Sequence, residues 1–131
     1  MFTTSHLPLH VQREVCVLSV VVRASGDVDQ DTVAALHDEL RVAFAVATPP
    51  HPVVVDLSEV TFFGSAGINE LLTHHRLAAA SGIPLRIVAT HRMVLRPLTA
   101  AGLGDVLEIH PDVEQALRLA PAVPPAPRRA R

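Results

Sequence analysis

Apolar positions along this chain recur with two alternating periods. Val15 to Arg23 is almost continuously apolar, as expected of a central strand buried on both faces. A weaker strand is expected over His6 to Gln12, with Arg13-Glu14 as the turn between the two. Asp31 to Ala47 then takes helical spacing: Val33, Leu36, Leu40, Phe44 and Ala47 form one stripe, and His37, Asp38, Glu39 and Arg41 lie outside it. Thr48-Pro49-Pro50-His51-Pro52 reads as a helix-to-strand connection.

Val53 to Asp56 follows as a short buried strand. Ser65 to Ala80 is a second helix, with Ile68, Leu71, Leu72 and Ala79 inward and Gly82 as its stop. Leu85 to Ala89 is another strand, and His91 to Ala101 a helix that Pro97 kinks or restarts. Leu107 to Ile109 adds an edge strand, and Pro111-Asp112 opens a last helix to Leu119. The alternation predicts an α/β domain: a mixed, mostly parallel sheet of four to five strands with about four helices, parallel after an opening hairpin.

Composition narrows the functional classes. The 131 residues suit one domain with a core that needs no disulfide. A formal net charge of −2 argues against an electrostatic nucleic-acid binder, and four phenylalanines as the only aromatics leave little for base stacking. No apolar run reaches membrane-helix length, so no membrane insertion is expected. The first residues, MFTTSHLPLH, lack a basic segment followed by an apolar one, so a cytoplasmic location is the expectation. Cys16, the only cysteine, reads as a small buried hydrophobe. Residues 120–131 are rich in proline and arginine with nothing to bury, and are expected to be a disordered tail after a domain spanning 1–119.

One stretch carries the candidate chemistry: VVVDLSEVTFFGSAG, residues 53 to 67, sets Ser65 among glycines at a helix start. A hydrolase nucleophile elbow needs glycine two residues before the serine, where Phe63 stands, and His74 and His75 lie on the helix that Ser65 opens. No phosphate-loop pattern occurs. The eight histidines are scattered and their one close pair is adjacent, so they read as surface groups with no metal and no cofactor expected. The structural reading of Ser65 is a helix N-cap, with Gly64 and Gly67 allowing a tight approach. The same position also suits a phosphate, because the helix dipole and free N–H groups receive its charge.

Asp56-Leu57-Ser58-Glu59-Val60-Thr61-Phe62-Phe63-Gly64-Ser65-Ala66-Gly67 resembles the signature of the STAS domain of anti-sigma-factor antagonists. Ser25-Gly26-Asp27-Val28-Asp29 is similar to the family's Gly-Glu-Leu-Asp, and Ala101-Gly102-Leu103 to its Gly-Leu after the third helix. The resemblance covers roughly residues 6 to 119. It implies a non-enzymatic binding module whose partner is an anti-sigma factor that is also a serine kinase, with a serine phosphatase resetting the switch. Carried over by position, it makes Ser65 the phosphoacceptor and Asp29 the acidic residue of the neighbouring loop, with Gly64, Ser65, Ala66 and Gly67 at the partner surface. Two positions depart: the family's Asp before the acceptor is Gly64, and the following Ser/Thr is Ala66. The runner-up expectation is a STAS scaffold that works without phosphorylation, or an accessory subunit of a transporter.

Overall fold

The computed structural model describes residues 8–16 and 18–118, so the expected tail lies outside the described residues. The chain runs β1 (His10–Cys16), β2 (Ser19–Val28), α1 (Val33–Val46), β3 (Val53–Phe63), α2 (Ser65–Ser81), β4 (Leu85–Val88), α3 (Arg92–Ala100), β5 (Glu108–His110) and α4 (Val113–Leu117). The five strands form one sheet in the order β1-β2-β3-β4-β5, antiparallel between β1 and β2 and parallel elsewhere. This is the expected α/β architecture with an opening hairpin.

Alternation along the strands sorts the two faces. Val20, Val22 and Ala24 on β2, Val53, Val55 and Leu57 on β3, and Leu85 and Ile87 on β4 join one large core. Leu36, Leu40 and Ala43 of α1, Leu71 and Ala78 of α2, and Val94 and Leu98 of α3 cover it. Val21, Val54 and Val88 point the other way, and Ala116 of α4 covers them. The buried Arg86 fixes that short helix: its guanidinium donates to the Ala116 carbonyl at 2.9 Å and to the Arg118 carbonyl, and ion-pairs with Glu108 at 3.2 Å. Burial on both faces is why β2 reads as almost continuously apolar.

Two strand boundaries differ from the sequence reading. The hairpin closes between Cys16 and Ser19, and Arg13-Glu14 lies inside β1 opposite Val22 and Val21. Their charges are accommodated because this edge is solvated: Arg13 pairs with Glu39, and Glu14 with Arg23. The larger difference is β3, which continues past Asp56 to Phe63 instead of opening into a loop. Its parallel register with β2 shifts twice, between Arg23 and Ser25 and between Gly26 and Asp27, each time with one additional residue on β3. Such bulges break the two-residue period, which hid the strand from pattern reading.

At the helix ends, Gly82 at φ 75° stops α2 as expected, a conformation that costs glycine least. Pro97 sits inside α3 without ending it. The backbone N–H groups of Gly102 and Leu103 bond to the carbonyls of Thr99 and Leu98, and Leu103 is buried, so the Ala101-Gly102-Leu103 match is a helix stop tied to the core. Among the described residues, no helix is long and apolar enough to cross a membrane.

Candidate functional site

The two bulges answer why an apolar-acidic-polar run leads to one serine between glycines. At the first, Asp56 accepts hydrogen bonds from the backbone N–H and the hydroxyl of Ser58 at 3.0 and 2.6 Å, folding Asp-Leu-Ser around the additional residue. On β2, Gly26, the register partner of Val60, has φ 105°, and a Cβ there would lie 2.2 Å from the Pro8 carbonyl oxygen. Only glycine fits. Beyond the second bulge Phe63 turns into the core while Phe62 faces outward, 46% exposed.

β2 and β3 then end side by side. Val28 and Phe63 are register partners, and the Gly64 N–H donates to the Val28 carbonyl at 3.0 Å. This bond ties together the two loops that carry Asp29 and Ser65, both beyond the carboxyl ends of adjacent parallel strands, a usual place for ligand contact in open α/β sheets. Asp29, Phe62, Gly64, Ser65, Ala66 and Asn69 line one cleft of about 420 Å³. The structure therefore brings together four of the five sequence-selected residues around a common opening. Gly67, the fifth, is buried beneath it.

Ser65 differs from its expected structural role. The N-cap of α2 is Gly64, with φ −94° and ψ −173°, and Ser65 is the first helical residue, its side chain exposed. The Gly64 carbonyl already accepts the N–H groups of Gly67 and Ile68, at 3.0 and 3.2 Å. The N–H groups of the first two helical positions have no intrahelical carbonyl to reach, and the first turn has no acidic residue. An added anion at Ser65 would meet an uncompensated positive helix end.

Gly67 is glycine for space. An added Cβ would lie 2.7 and 2.8 Å from the Phe63 ring and 2.9 Å from a Val28 methyl. Asp29 shapes the neighbouring loop, accepting from the backbone N–H groups of Asp31 and Thr32 at 2.9 and 3.1 Å, just before α1. Asp27, one turn of chain away, accepts from the Thr61 hydroxyl at 2.7 Å.

His74 overturns the reading of the histidines as surface groups: it is 1% exposed. Its Nδ1 lies 2.9 Å from Oε2 of Glu70, one turn earlier, and the same oxygen lies 2.8 Å from His37 Nδ1 on α1. Histidine–histidine spacing does not reveal this group, because one of its three members is a glutamate. The signal that finds it is the Glu70–His74 spacing of four residues.

Known proteins share the family pattern and the fold of this chain. Residues 17–109 match the family model described as Mlab, STAS domain. The chain is 33% identical over 99 residues to the anti-sigma-F factor antagonist RsfA of Mycobacterium tuberculosis, covering 76% of this chain and 77% of that one. It is 31% identical over 103 residues to the anti-sigma-F factor antagonist RsfB of the same organism, covering 79% of each. Among solved structures, an anti-sigma factor antagonist from Mycobacterium paratuberculosis superposes with a TM-score of 0.75 at 28% identity, over 83% of this chain and 91% of that one. Unphosphorylated SpoIIAA matches the fold with a TM-score of 0.67 at 20% identity, over 82% and 92%.

Proposed function

The chain belongs to the STAS domain family, and from that premise we propose that it acts as an anti-sigma-factor antagonist whose partner-binding surface is the Ser65 cleft. In this reading the unphosphorylated chain binds an anti-sigma factor of the kinase fold and releases the sigma factor. Phosphorylation of Ser65 ends the complex, and a serine phosphatase resets it. The chain is a binding module and a kinase substrate, and does no catalysis itself. The supporting observation is one juxtaposition: an exposed serine in the first turn of α2, in a common cleft with Asp29 and the outward-facing Phe62.

The physics of the switch follows from that arrangement. A partner covering the cleft removes the Ser65 hydroxyl from water at little cost. A phosphate brings a charge of about −1.5 to −2, which the open N–H groups of α2 stabilise in the free protein and a docked partner must desolvate. Of the nearby acids, Asp29 lines the cleft, whereas Asp56 and Glu59 line another one and Glu70 is engaged by histidines. Among these acids, Asp29 is the one that shares the cleft with Ser65.

Capture from native cytosol tests this. The Ser65→Ala chain is expected to retain a kinase-fold protein that the Ser65→Asp chain releases, a loss of a hundredfold or more in affinity for a change of a few kcal/mol. Equal affinity of the folded wild-type and phosphorylated chains for that protein would defeat the switch.

Gly64 and Ala66 favour a second reading, a STAS scaffold that binds without phosphorylation, since no carboxylate precedes the serine. The Gly64 backbone is extended, so Gly64→Asp is sterically open once the exposed Phe62 ring, 3.0 Å from the added Cβ, swings aside. A phosphorylation rate that rises in this variant supports the switch. A Ser65 that stays unmodified in both chains supports the scaffold.

A further inference from the structure

We propose that His37, Glu70 and His74 bind one zinc-class divalent cation across the seam between α1 and α2. Each offers one ligand atom, and the three atoms all lie within 4.8 Å of one another. Two come from one helix face, because Glu70 and His74 are four residues apart on α2, and the third reaches across from α1. Two imidazoles and one carboxylate suit zinc and its neighbours, and disfavour calcium or magnesium, which take oxygen.

Two of the three ligand separations need only a small change. Zinc–ligand bonds of about 2.0–2.2 Å put tetrahedral ligands roughly 3.3 Å apart. The carboxylate oxygen now stands 2.8 Å from His37 Nδ1 and 2.9 Å from His74 Nδ1, so each separation opens by about half an ångström around an ion. His37 is half-exposed and leaves the site open to water for a fourth ligand. His74 has the opposite setting. It is buried, stacked on Phe44 at 5.7 Å, and its Nε2 has no hydrogen-bond partner among the described residues. Among the described residues, the polar contact of that ring falls on Nδ1, where Glu70 supplies it through its carboxylate and its backbone carbonyl. A metal on Nδ1 would take the place of the proton that this ring shares with Glu70, and the ring's proton would then sit on Nε2.

The site also has a mechanical position. Glu70 lies five residues after Ser65, about 7.5 Å along α2, and α1 begins just after Asp29. An ion held by all three side chains would clamp together the two helices that open at the cleft. The metal site stands without the switch, since its ligands line no part of that cleft.

Titration of the untagged, full-length chain with Zn²⁺ by calorimetry decides the proposal. One ion per chain is expected, with a Kd of about 10 μM or tighter. His37→Ala and Glu70→Gln should each weaken binding at least tenfold, and His75→Ala, on the next position of the helix, should leave it unchanged. Zn²⁺ should raise the melting temperature of wild type and not of His37→Ala. Co²⁺ should give visible d–d bands that His37→Ala abolishes. A Kd weaker than about 10 μM, or binding that both ligand variants leave within twofold, overturns the site. If Glu70→Gln does not fold, the half-exposed His37→Ala alone decides.

Discussion

Gly67→Ala tests the packing that positions Ser65. The added Cβ would fall 2.7 and 2.8 Å from two Phe63 ring carbons and 2.9 Å from a Val28 methyl, all below any ordinary contact. Phe63 and Val28 are buried at the ends of the two central strands, so neither swings into solvent. Inserting one methyl into such a site costs about 1–3 kcal/mol. Against this stands the helix preference of alanine over glycine, at most about 1 kcal/mol and less in a first turn. The net expectation is a loss of about 1–2 kcal/mol, or a melting point lower by roughly 3–8 °C for a domain of this size. Urea denaturation with an unchanged m-value is the assay, and Gly104→Ala, whose Cβ meets nothing within 4 Å, is the control. In a Phe63→Leu background the Gly67→Ala penalty should shrink by at least half, since the ring that it meets is gone. A Gly67→Ala chain as stable as wild type, or penalties that add in the double variant, would refute the reasoning.

Two further outcomes follow. Arg86→Met should cost about 2 kcal/mol and remove hydrogen-exchange protection from α4 first, because the carbonyls of Ala116 and Arg118 lose their shared donor. Cys16 should react with a disulfide reagent more slowly than a free thiol and with its midpoint at higher pH, since burial foremost, and then the Glu14 charge, pushes the thiol up. The sign for stability is the same: the unfolded thiol ionises first, so folding weakens as pH rises through the ordinary thiol range.

What was legible in the sequence was whatever repeats with a period. The valine run of β2, the stripe of α1 and the glycine stop of α2 announce themselves because burial on a regular element dictates every second or every third and fourth residue. The opening turn was misread because Arg13-Glu14 looks like turn chemistry. At a solvated edge strand the same two charges are ordinary, each with a partner across the surface. The second half of β3 was illegible for a different reason. Its bulges let Leu57, Val60 and Phe63 point inward at intervals of three, a spacing that belongs neither to a strand nor, over so few residues, to a convincing helix.

That irregularity is also what builds the site. Without the additional residues of β3, Gly64 would not lie opposite the end of β2, and its N–H would not meet the Val28 carbonyl. The Asp-Leu-Ser segment folds the first bulge, and Gly26 lets β2 pass close to the backbone of Pro8. The serine was found because it sits in a recognisable string of residues, yet its placement as first helical residue instead of cap depends on where the strand stops. Gly64, taking the cap with no side chain of its own, leaves the hydroxyl free of that duty and turned to solvent. A capping serine would have to surrender a hydrogen bond to become a phosphate ester. Ser65 has none of that kind to lose, so modification there should leave α2 intact and act on whatever docks against it.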